Sequence, residues 1–131
     1  MLKIETKNAP APLGPYSQAV VSGGMVYVAM QLPISPKAED PVVESEAEVE
    51  VQTRQVLENV QAIVEAANSS MAQVAKVTIY LTDLTDGKTV NPIYQEYFSK
   101  SDVLPARSLV GVTSLPFGYK IAVDVMAVIK G

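Results

Sequence analysis

The segment Lys120 to Ile129 constrains this chain most, because it reads as a strand with no polar side. Ile121, Val123, Val125, Ala127 and Ile129 fall on one face at period two, and Ala122, Asp124, Met126 and Val128 fall on the other. Helices from the same chain can cover one apolar face. The second face needs another layer that 131 residues do not supply. Self-association is therefore expected, with the carboxylate of Asp124 near a subunit boundary.

The remaining segments predict one domain over residues 1–131. Ile4 opens a short strand, and three prolines between Pro10 and Pro15 make an irregular extended loop. Ser17 to Val21 and Met25 to Met30, separated by Ser22-Gly23-Gly24, predict a hairpin. Gln31 to Val43, with three prolines, reads as a surface loop. Ser45 with Glu48 matches a capping box, followed by helical spacing of Val49, Val56, Leu57, Val60, Ile63, Val64 and Ala67, with Thr53 in the gap. On its other face Glu50, Arg54 and Glu58 predict solvated pairs four residues apart.

Val74 to Leu81 predicts a strand, and Val90, Ile93, Tyr94 and Tyr97 a second amphipathic helix, in which Pro92 is expected within the first turn and Asn91 as a cap. Arg107 to Val112 and Lys120 to Ile129 complete the strands, with Leu115 to Gly118 a turn between them.

The chain has no cysteine and no histidine, which removes thiolate nucleophiles, imidazole bases and the usual zinc sites. Its formal charge is -4, and the lysines are scattered rather than striped, so nucleic-acid binding is disfavoured. No apolar run approaches the roughly 20 residues of a membrane span. No leader pattern is evident either, and a cytoplasmic protein is expected.

Among the residues able to do chemistry, Arg107 stands out within the apolar run Val103 to Val110. A guanidinium keeps its charge at any relevant pH and matches a carboxylate bidentately. It is either an anion-binding residue or half of an ion pair, for which Asp124 is the candidate partner. Tyr16, held behind Gly14-Pro15, either faces a site or anchors its loop.

Asn8 to Gln18, Gln31-Leu32-Pro33, Val90-Asn91 with Tyr94, and Pro105-Ala106-Arg107-Ser108 together resemble the reactive intermediate deaminase A family, also called the YjgF/YER057c/UK114 family. The resemblance runs in order from about Asn8 to Val128. It implies an α+β fold of the chorismate mutase-like type: a mixed sheet with two helices on one face, and a homotrimer with a central barrel and clefts between subunits. It also implies hydrolysis of 2-aminoacrylate and related enamines or imines to 2-keto acids and ammonia, with no metal or organic cofactor. By position, Arg107 would clamp the substrate carboxylate, the backbone around Met30 and Leu109 would contact substrate, and Tyr16 and Asn91 would belong to the cleft.

Three departures bear on activity. The family's water-positioning glutamate is Ala122 here, and its Ser-Gly is Ala29-Met30, which would crowd a small substrate. The residue two after the arginine, often cysteine, is Leu109. Asp124, roughly 6.6 Å from Ala122 along the same strand face, is a second acid that is either structural or catalytic. The expected function is thus an imine or enamine deaminase of weakened or altered activity. The alternative is a non-catalytic trimer that binds a small carboxylate or 2-keto acid through Arg107. An RNA-directed nuclease or translation inhibitor, as some relatives are labelled, finds neither an imidazole base nor a basic groove.

Overall fold

Two glycines turn the first hairpin. β2 (Ala19–Ser22) and β3 (Met25–Gln31) are joined by Gly23 and Gly24, both left-handed at φ 58° and 78°. A two-residue turn with positive φ at both positions follows the twist of its strands, and glycine adopts it without steric cost. β1 (Leu2–Ile4), β4 (Val74–Leu81), β5 (Ala106–Gly111) and β6 (Ile121–Val128) complete a six-stranded sheet in the order β1-β2-β3-β6-β4-β5. Only β4 and β5 pair in parallel, and the crossover between them carries a helix, as a parallel connection requires. The computed structural model describes residues 1–38, 40 and 44–129.

Two helices, α1 (Val49–Ala66) and α2 (Gly87–Tyr97), cover one face. Val56, Leu57, Val60, Ile63 and Val64 of α1 and Val90, Ile93 and Tyr94 of α2 share a core with Val77, Ile79, Val123 and Val125. The expected single-domain α+β fold is thus present. The opposite face stays open: Tyr27, Met126 and Val128 are 42, 42 and 44% exposed.

Several local expectations fail for identifiable reasons. The capping box does not form; α1 begins after Glu48, which makes no side-chain cap bond. The preceding carbonyls are held instead by Gln52, whose Nε2 donates to Ser45 O and Ala47 O, and by Lys120 Nζ. Asn91 does not cap α2 but lies inside it, because a short turn at Leu84–Asp86, capped by Asp83, runs directly into the helix. Pro92 is consequently its sixth residue, beyond the first turn, and forgoes one helical hydrogen bond. Arg54 does not pair along its own helix: its guanidinium reaches Glu96 of α2 at 2.8 Å, while Glu58 accepts from Tyr97. Interhelical partners win because α2 packs against that side of α1. Of the expected loop from Gln31 to Val43, residues 39 and 41–43 lie outside the described residues.

Three buried amides fasten loops to this frame. Gln18 Oε1 accepts from Thr6 N, and its Nε2 donates to the carbonyls of Thr6, Ala9 and Pro10. Asn59 Nδ2 holds Leu32 O and Ile34 O, and Gln52 Oε1 accepts from Lys120 N. Each amide supplies donors and an acceptor at once, which irregular backbone needs where water is excluded.

Tyr97 and Tyr119 have phenol pKa values pushed up to about 12. Burial is the first cause in both, reinforced at Tyr97 by its hydrogen bond to Glu58 and at Tyr119 by the charges of Glu44 and Asp40. Because the folded values exceed the unfolded value of about 10, the stability they contribute is complete below that pH and lost as pH rises to about 12. The melting temperature is expected to fall across that interval, and less so in Tyr97→Phe. An unchanged slope in that variant would show that Tyr97 does not contribute.

Candidate functional site

All six residues of β5, the outer strand beside β4, are exposed. Arg107 is in register with Val77, and Val77 with Val125, both buried beneath the helices. The register therefore puts Arg107 on the helix side. Its Nη1 donates to Asn91 Oδ1 at 2.8 Å, and its Cζ lies 4.9 Å from the centre of the Tyr94 ring. That ring is fixed in turn by Phe98, 4.5 Å away.

Among the described residues no carboxylate pairs with Arg107; the ion pairs are Lys3 with Glu5 and Arg54 with Glu96. A neutral amide and an aromatic face orient a cation without cancelling its charge. Tyr94 is only 7% exposed, and its hydroxyl has no partner among the described residues. Burial raises the pKa of that phenol and Arg107 opposes the shift. Leu109, two residues along β5, reaches toward Gly87 at the start of α2.

A second cluster surrounds Tyr16. The Tyr16 N–H bonds Gly14 O at 2.9 Å, and the Tyr16 hydroxyl accepts from Leu13 N at 3.3 Å, which curls the loop tightly. Tyr16, Met30, Leu13, Ala29, Leu32 and Phe117 line an apolar pocket of about 490 Å³. Phe117 has φ 62°, a conformation a bulky residue rarely adopts.

Met30 owes its position to an irregularity in the sheet. Val28 pairs with Val125 and Gln31 with Val123, so both Ala29 and Met30 oppose the single residue Asp124. Such a bulge redirects side chains. Asp124 itself is half-buried on the open face and accepts a hydrogen bond from Tyr80 Oη at 2.7 Å.

The expected pairing of Asp124 with Arg107 is not formed. Asp124 shares a row with Thr78 and Ser108 on the open face, whereas Arg107 lies on the opposite face two strands away. Within one chain the candidates fall into separate groups: Arg107, Asn91 and Leu109 at one edge, and Tyr16 and Met30 about three strand spacings, or roughly 14 Å, across the sheet. Asp124 lies between them. Sequence reasoning gave Tyr94 only a core role and Tyr80 none. Tyr94 could have been found from its position three residues after Asn91 on a helix, but Tyr80 depends on strand register that no local pattern reveals.

Among the described residues there is no cluster of three metal-ligating side chains, and no helix is long and apolar enough to cross a membrane.

The chain is similar to known proteins in sequence and in fold. The chain is 46% identical over 124 residues to a RutC family protein of Pyrococcus horikoshii, covering 95% of this chain and 94% of that one. It is 43% identical over 126 residues to a 2-iminobutanoate/2-iminopropanoate deaminase of Escherichia coli K12, covering 95% of each. The crystal structure of E. coli TdcF with bound serine superposes with a TM-score of 0.90 at 38% identity, covering 99% of this chain and 100% of that one. With its match to the description Endoribonuclease L-PSP over residues 6–129, the chain belongs to that family, the family of YjgF and the reactive intermediate deaminases.

Proposed function

We propose that this chain hydrolyses 2-enamine and 2-imine acids, of the 2-aminoacrylate and 2-iminobutanoate type, to 2-keto acids and ammonia. The observation that carries the reading is the unneutralised guanidinium of Arg107, oriented by Asn91 and Tyr94 on an exposed strand. A substrate carboxylate supplies the missing charge, and a fixed carboxylate fixes the imine carbon for attack by water. Asn91 orients the clamp, and Leu109 offers its backbone beside it. Tyr16 and Met30 form the other wall.

These walls meet only between chains, which is why the reading includes a homotrimer with a central barrel and clefts at its subunit boundaries. The exposed apolar row of Tyr27, Met126 and Val128 supports burial of the open face. The deaminase relative and the serine bound to TdcF support a ligand of amino acid type. The reading assigns no metal or organic cofactor, and it locates the reaction in the cytoplasm.

Ala122 favours one competing reading, a trimer that binds a 2-keto acid or similar carboxylate without turnover. A coupled assay separates them. With a PLP-dependent amino acid dehydratase generating the imine, this protein is expected to speed keto acid formation and lower the imine trapped by semicarbazide. Trapping unchanged by the protein would leave only the binding role. A nuclease reading has no imidazole and a formal charge of -4 against it, despite the family description.

A further inference from the structure

Hydrolysis of an imine needs a group that takes a proton from water, and position 122 offers only a methyl. Among the described residues, Asp124 is the one Asp or Glu borne by a strand; the others lie on helices, turns and loops. It sits where two features of the sheet converge. The bulge at Ala29 and Met30 opens directly opposite it, and both bulge residues line the apolar pocket shared with Tyr16. From the other side Tyr80 reaches in from β4. Tyr80 is the cross-strand partner of Ala122 rather than of Asp124, so its ring must lean along the sheet to place Oη 2.7 Å from Oδ2. The small side chain at 122 leaves room for that lean, since directly opposed Cβ atoms are only about 5 Å apart.

We infer that Asp124 is the base that activates the attacking water and that Tyr80 is its positioning residue, moving proton handling one step along the strand from position 122. The inference rests on the proposed hydrolysis of imines. Tyr80 occupies Oδ2 and fixes the plane of the carboxylate, which leaves Oδ1 to accept from water. The phenol is suited to this as a lasting donor: its hydrogen bond to Asp124 and its burial both raise its pKa.

The steps balance. As the water oxygen bonds to the carbon of the protonated imine, its proton passes to Oδ1 and the π pair moves to nitrogen, giving a neutral carbinolamine. Asp124 returns the proton to nitrogen, the C–N bond breaks with its electron pair, and the remaining hydroxyl proton passes through Asp124 to the departing ammonia. The products are a 2-keto acid and ammonium, with Asp124 ionised again. Arg107 of a neighbouring copy holds the substrate carboxylate, because within one chain the two residues lie on opposite faces.

A merely structural bond between Tyr80 and Asp124 would show in stability and not in turnover. The test compares wild type, Tyr80→Phe, Asp124→Asn, the double variant and Arg107→Ala in the dehydratase-coupled assay, with melting temperatures recorded for each. Asp124→Asn is expected to lower kcat by about a hundredfold, within the usual range for a general base. Tyr80→Phe is expected to lower kcat about tenfold with KM changed less than twofold, and to have no further effect once Asp124 is Asn. Wild-type kcat in Tyr80→Phe, with activity lost in Arg107→Ala, overturns this inference and leaves the proposed function standing. Additive losses in the double variant overturn it as well. A wild-type protein that gives no acceleration overturns both.

Discussion

Arg107→Ala is expected to lower kcat/KM for 2-imino acids by a hundredfold or more, an order of magnitude typical of deleting one partner from a charged, oriented contact. The fold should barely register the change. Arg107 is exposed on an outer strand, and the structure gives it one hydrogen bond to Asn91 and one ring contact to Tyr94. The melting temperature should therefore stay within a few degrees of wild type, as is usual for surface changes. Arg107→Lys should recover only part of the activity, because an ammonium keeps the charge but loses the planar fork. Asn91→Ala should fall between the two, since it frees the guanidinium without removing it. Steady-state kinetics on the four proteins decide the matter: unchanged kcat/KM in Arg107→Ala would mean that the carboxylate is held elsewhere.

Gln18→Ala is expected to cost about 2–4 kcal/mol of folding stability, measured by denaturant unfolding, and to open residues 6–16 to proteolysis. The amide is buried and meets the N–H of Thr6 and three carbonyls, those of Thr6, Ala9 and Pro10. Removing it strands several backbone groups at once, and each unsatisfied buried group costs about 1–3 kcal/mol before water relaxes into the space. Because the same loop delivers Tyr16, activity should fall with stability even though Gln18 lies outside the proposed reaction. If the variant unfolds at the wild-type denaturant concentration, the loop is held by its prolines and not by the amide.

The periodicity of apolar residues carried most of the fold. Val74 to Leu81 is a strand at the bounds the sequence suggests, and the two-sided apolar pattern of β6 correctly left one face uncovered. What local patterns missed were choices among competing partners. Ser45 has the spacing of a cap, yet its carbonyl is taken by Gln52 and Lys120. Arg54 has suitable partners a turn away on either side, yet Glu96 on the other helix holds it. Asn91 stands before a proline as a cap would, yet it lies within α2 and meets Arg107.

The candidate site shows the same division. Residue types and the family resemblance single out Arg107, Tyr16 and Asp124. Which face each one occupies depends on strand order and on one bulge, and both are products of pairing between segments far apart in the chain. The proposed separation of clamp and base onto different faces could not be read without them.

Gln52 and Asn59 stand seven residues apart on α1, two turns along the same side. One grips Lys120 at the entrance to β6, and the other grips Leu32 just beyond Met30. The helix thus works as a tie bar between the strand that carries Asp124 and the strand that carries the bulge. Trimming two methyl groups deep in its core, as in Val60→Ala, would slacken both ends together, so the gap between Met30 and Asp124 is governed from a helix on the sheet's other face.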